Sequence, residues 1–238
     1  MKKLELFVFA VFIINILGSA FAQDKLIMGK SLLDKKDCAG ALPYLTAALK
    51  DDPKSKRANL YLGEAYLCLG NLDSAELFFE ESVKLDDESA PAYYGLGQVF
   101  FQEKKFPDAI KNLNSAANYD PKNGDCLIVL GNSYLGANLP DSAMQAFYKA
   151  RDLDDKDPRA LEGIGDVYRK QNIFDPAIGS YKDALAIDST NVSIMLKLAN
   201  TFMQNNDGAD AYKEFVSISQ VAPNNADAQH EAGELLYV

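Results

Sequence analysis

The chain has 238 residues, 48% of them apolar and 24% charged, with a formal net charge of −10 and no Trp. That composition suits a packed globular protein and excludes the disordered and collagen-like classes. An acidic surface repels phosphate backbones and anionic lipid heads, so nucleic acid and membrane surfaces are not expected as partners.

Residues 1–22 stand apart from the rest. Lys2 and Lys3 open the chain, Leu6 to Leu17 is apolar except for Asn15, and Ala20-Phe21-Ala22 has the small-x-small form of a cleavage site. This reads as a secretory signal peptide cut before Gln23. Its apolar run falls short of the roughly 20 residues that a spanning helix needs. No later segment is apolar enough to span a bilayer, so no membrane insertion is expected after cleavage.

From residue 22 onward one pattern returns every 34 residues. NLYLGEAY at 59–66 is followed by YYGLGQVF at 93–100, LIVLGNSY at 127–134 and LEGIGDVY at 161–168. Six units result: 22–55, 56–89, 90–123, 124–157, 158–191 and 192–225. The eighth position is Gly29, Gly63, Gly97, Gly131 and Gly165, then Ala199. The twentieth is always alanine, from Ala41 to Ala211, and four residues later comes Leu45, Phe79, Leu113, Phe147, Tyr181 or Phe215.

Apolar spacings of three and four predict two amphipathic helices per unit, and nothing alternates as a strand would. Turn formers such as Leu69-Gly70-Asn71 separate them. Asp73 with Glu76 reads as an N-cap pair for a second helix, and the Asp-Pro steps at 52–53 and 120–121 stop second helices. Glycine inside a helix costs about 1 kcal/mol against alanine, which is offset where another helix crosses closely. A lone pair of helices cannot bury its apolar face, so the pairs must stack. The last residues, 226–238, carry Gly233 and Leu236 in register and read as a capping helix or the start of a truncated seventh repeat.

These motifs resemble the tetratricopeptide repeat family, whose Leu-Gly-x-x-Tyr, Ala-x-x-x-Phe and closing Pro recur at this period across 22–225. Departures are the missing Trp, the replacement of the closing proline by Asp87, Asp155 and Ser189, and Ala199. The resemblance implies an all-α fold: a right-handed α-solenoid of six helix-turn-helix repeats plus the capping helix. It also implies a concave groove, lined by first helices, that binds proteins or peptides without chemistry.

By the same resemblance, positions two, five, nine, twelve and thirteen of each first helix face that groove. The fifth and twelfth positions are apolar in five units: Leu26/Leu33, Leu60/Leu67, Tyr94/Phe101, Ile128/Leu135 and Leu196/Met203, with Glu162/Arg169 the exception. Asn132 and Asn200 are among the polar ninth positions. An exposed apolar stripe of this length marks an interaction site and suits an amphipathic helix or an extended apolar segment. Self-association through the stripe, or its burial as ordinary core, are the alternatives.

No catalytic, cofactor or metal site is expected. Gly95-x-Gly97 and Gly163-x-Gly165 lack the third glycine and the strand of a dinucleotide loop. Asp152, Asp154, Asp155 and Asp157 lack the glycine and glutamate of a calcium loop. His230 stands alone. Three cysteines allow one internal bridge at most; packing roles for all three are the simplest reading, with a Cys38–Cys68 bridge between stacked helix ends as the alternative. The expected function is thus a noncatalytic interaction scaffold of the cell envelope, periplasmic in a bacterium. The other reading is the repeat portion of a larger enzyme or signalling protein.

Overall fold

The computed structural model describes residues 23–224 and His230, and within them every regular element is an α-helix. The expected signal peptide and most of the expected capping segment lie outside the described residues; His230 itself is helical and exposed. The chain forms two compact units, divided after Pro121. The first contains α1 (23–34), α2 (Cys38–Asp51), α3 (Lys56–Cys68), α4 (Leu72–Leu85), α5 (Ala90–Gln102) and α6 (Phe106–Tyr119). The second contains α7 (Gly124–Gly136), α8 (Pro140–Leu153), α9 (Pro158–Lys170), α10 (Phe174–Ile187), α11 (Val192–Gln204) and α12 (Gly208–Val221). The fold class is the expected all-α helical-repeat solenoid.

Short polar side chains start many of the helices by accepting otherwise orphaned backbone N–H groups. Ser55 accepts from Ala58, Asn123 from Cys126 and Asn191 from Ile194. The expected cap at Asp73 is corrected: Asn71 caps α4 by accepting from the Ser74 N–H at 3.1 Å, and Asp73 lies inside the first turn. There its charge faces the positive end of the helix dipole. Second helices end as expected at Asp52 and Asp120, yet α4 stops at Leu85 with Asp86 as C-cap and no proline.

Every turn from a first to a second helix passes through a left-handed residue at the same repeat position. In the first unit these are Lys36, Gly70 and Lys104, with φ of 63°, 74° and 60°. In the second they are Asn138, Asn172 and Asn206, with φ of 61°, 60° and 63°. The next N–H reaches back five residues to close the helix, as Asn71 does to the Tyr66 carbonyl at 2.9 Å.

The core is built from plugs and seats. Phe79 is fully buried against Gly63 of α3 and Gly95 of α5, and Phe147 against Gly131 of α7 and Gly163 of α9. A Cβ on Gly63 or Gly131 would come within 2.6 Å of the ring, well inside the ~3.5–4.0 Å of favourable carbon contact. Of the glycines that resemble dinucleotide-loop fragments, Gly95 and Gly163 lie against these two rings, while Gly97 lies against Leu113 and Gly165 against Tyr181. At three other junctions the next sixth position is not glycine and the plug is not phenylalanine: Leu45 precedes Tyr61, Leu113 precedes Val129 and Tyr181 precedes Lys197.

Candidate functional site

In the first unit, the ninth, twelfth and thirteenth positions of α1 and α3 and the ninth and thirteenth of α5 come together around a cavity of about 480 Å³. Lys30, Asp34, Lys36, Glu64, Gln98 and Gln102 supply its polar side; Leu33, Leu67 and the bridged Cys38 and Cys68 complete the lining. Lys30 Nζ bonds Asp34 at 2.5 Å and lies 5.6 Å from the Tyr61 ring centroid. Gln98 Nε2 donates to the Tyr94 hydroxyl at 3.0 Å. Burial pushes the Glu64 carboxyl above the ordinary carboxylate range; Lys30 pulls it back down and Asp34 adds to the rise. A smaller cavity of about 290 Å³ lies over α1 and α3, between Leu26, Ile27, Arg57 and Tyr61.

The bridge corrects the simplest cysteine reading. Cys38 at the start of α2 and Cys68 at the end of α3 form a disulfide with Cα atoms 6.2 Å apart. Cys126 takes no part in it and is buried in α7. The bond ties a second helix to the next repeat's first helix, and both cysteines line the larger cavity.

The second unit treats the same face differently. Lys197 on α11 pairs with Glu162 and Asp166 of α9 at 2.6 and 2.5 Å. Asp166 also accepts from the fully buried Tyr181 hydroxyl at 2.7 Å, and Arg169 Nε donates to that hydroxyl at 3.3 Å. Burial lowers the Lys197 pKa, but Asp166 and Glu162 outweigh it and hold the ammonium above its usual range. Burial, with Asp166 close by, drives the Tyr181 phenol far upward. At the start of α9, Arg159 joins Asp157 to Asp125 of α7. The network escapes repeat-averaged reading, though its signal is present: Tyr181 is the only tyrosine among the plugs, and Lys197 the only lysine at the sixth position.

The expected exposed apolar stripe is corrected in part. Leu33 is only 8% exposed and Ile128 6%, so both are core. Leu26 packs on the Leu33–Leu45–Leu62 cluster, Leu60 and Leu67 on Phe79, Leu96 and Val99, and Leu196 on the Leu198–Phe202 cluster. These positions meet the neighbouring helices of their own unit, where α3 touches α5 and α7 touches α9. Tyr94 and Phe101 are half-buried, Phe101 tilted against Phe106. Leu135 and Asn132 are half-buried as well, and the Leu135 carbonyl accepts from Lys170. Only Asn200 and Met203, at 38%, stand exposed. The faces that remain are more polar than the spacing implies.

Models of the tetratricopeptide repeat match residues 28–90, 100–167 and 165–206. The chain belongs to the tetratricopeptide repeat family. Bovine (Bos taurus) neutrophil cytosol factor 2 is 40% identical over 83 residues, which is 35% of this chain and 15% of that protein. The chain thus spans about 15% of the length of the neutrophil factor relatives it matches. Pseudomonas aeruginosa pilF superposes with a TM-score of 0.75 at 19% identity, covering 91% of this chain and 99% of that one. YrrB, described as a TPR protein with an unusual peptide-binding site, superposes with a TM-score of 0.62 at 19% identity, over 78% and 96%. Tetratricopeptide repeats are protein-binding and typically noncatalytic scaffolds. Among the described residues no group of His, Cys, Asp and Glu is arranged to hold a metal ion, and no helix is long and apolar enough to cross a membrane.

Proposed function

We propose that this tetratricopeptide repeat protein is an exported, noncatalytic scaffold of the cell envelope that holds a segment of another protein against the first-helix face of its first unit. The observation that carries the reading is the cavity of about 480 Å³ between α1, α3 and α5. Its polar side can bond a peptide backbone and fix its register, while Leu67 in its lining and the half-buried Tyr94 and Phe101 elsewhere on α5 offer apolar contact. The peptide-binding site of YrrB supports the same use of the fold. The Cys38–Cys68 bridge supports export, because such bonds persist in oxidising compartments, and the N-terminal pattern supplies the route.

A photo-cross-linker at Gln98, compared with one at exposed Glu80 on α4, tests the site. Protein adducts are expected from Gln98 only; equal adducts from both, or none from Gln98, reject it. Sequencing the mature N-terminus tests export: a start at Gln23 is expected, and an intact Met1 in a cytoplasmic fraction rejects it. The second reading, a repeat portion of a larger enzyme or signalling protein, draws on the bovine relative, of which the match covers 15%. The mass of the endogenous protein on an immunoblot decides between the two.

A further inference from the structure

We propose that the first-unit cavity receives a lysine or arginine side chain of the partner, with Glu64 accepting its cationic head. This rests on the reading above and names the chemistry recognised there.

Glu64 lines the cavity from α3, between α1 and α5, and is partly buried. It makes no hydrogen bond or ion pair among the described residues. The cation that acts on it through space, Lys30, is already engaged by Asp34 at 2.5 Å. Gln98, which lines the same cavity, uses an N–H on Tyr94, which leaves its amide oxygen as a second acceptor. Leu33, Leu67 and the bridged Cys38 and Cys68 line the same cavity. Apolar side chains sharing a cavity with carboxylate and amide oxygens fit a long methylene stem ending in a cation.

The opposite guest, a carboxylate, fits less well. Lys36 also lines the cavity, but it is exposed and keeps its water, so an ion pair there gains little. Glu64 has already lost part of its hydration, as its raised pKa reports. An arriving cation compensates a cost the empty protein already bears. The net charge of −10 draws cations toward the chain.

The test is an NMR titration of the ¹⁵N-labelled protein with the N-acetyl methylamides of arginine, lysine, norleucine and glutamate. Arginine and lysine probes should shift Glu64, Gln98 and Gln102 together. In Glu64→Gln their binding should weaken roughly tenfold, the loss of one charge-assisted contact, while the rest of the spectrum keeps the folded pattern. Norleucine or glutamate binding as well as lysine, or undiminished binding to Glu64→Gln, overturns the proposal. Cross-links from Gln98 that persist unchanged in Glu64→Gln sink this inference and leave the groove standing; no cross-links in either protein sinks the groove itself.

Discussion

The two units share a skeleton and differ where the skeleton leaves residues uncommitted. Each seats a phenylalanine on a glycine pair, Phe79 in the first and Phe147 in the second. Their turns diverge: two of three left-handed positions are lysine in the first unit, all three asparagine in the second. Their first-helix faces diverge further. One carries a disulfide and an unpaired carboxylate around a cavity; the other ties its charges to one another through Lys197 and Arg169. The two cores thus share one phenylalanine seat each, while the first unit has a partly buried carboxylate, Glu64, that no side chain bonds among the described residues.

The equality of the cores can be broken most forcefully by emptying a seat. Phe79→Ala and Phe147→Ala should each cost about 3–5 kcal/mol, and by similar amounts if the seats are equivalent. Denaturant unfolding with hydrogen exchange resolved by helix measures both; a gap of several kcal/mol would show that the cores are not alike. Next comes the bridge, which closes a 30-residue separation. Chain-entropy reasoning assigns such a loop about 3–4 kcal/mol. Cys38→Ser with Cys68→Ser should therefore raise exchange in α1 to α4 and leave α7 to α12 unchanged.

Lys197→Met should act on the second unit alone. It leaves Glu162 unpaired and Asp166 with only Arg169 and the Tyr181 hydroxyl, at a cost of about 1–3 kcal/mol, less than a fully buried pair, since Lys197 keeps 29% of its side-chain exposure. Because its folded pKa is raised, the Lys197 contribution is complete below the usual lysine range and disappears as pH rises through the folded value. Wild type should lose second-unit protection in that alkaline window, and Lys197→Met should show a flatter profile there. The smallest effect belongs to the turns. Lys104→Gly relieves a left-handed lysine and should gain about 1 kcal/mol, whereas Asn172→Gly should gain a few tenths at most; thermal melts of the two variants compare them.

The helices, their pairing and the glycine-aromatic contacts were legible because a period of 34 residues repeats its spacing of three and four. Gly95 and Gly163 were visible as oddities, but their purpose required knowing which ring sits above them. The groove was read less well. Spacing puts Leu26 and Leu33 on one face of α1 without saying what that face meets, and Leu33 and Ile128 meet core. The disulfide was open for a similar reason: whether Cys38 and Cys68 come within bonding reach depends on how helix ends align between repeats. Lys197 was lost to averaging, since a residue that departs from the pattern in one repeat only is invisible to the pattern.

The seating of Phe79 and Phe147 also limits how such a chain can change length. Phe79 needs glycine at the sixth position of the repeat that follows. Excising 90–123 alone would bring Val129 under that ring, whereas excising 90–157 would bring Gly163. A deletion just after Phe79 that preserves its seat should therefore remove two repeats, where a single-repeat deletion would set a branched side chain against the ring.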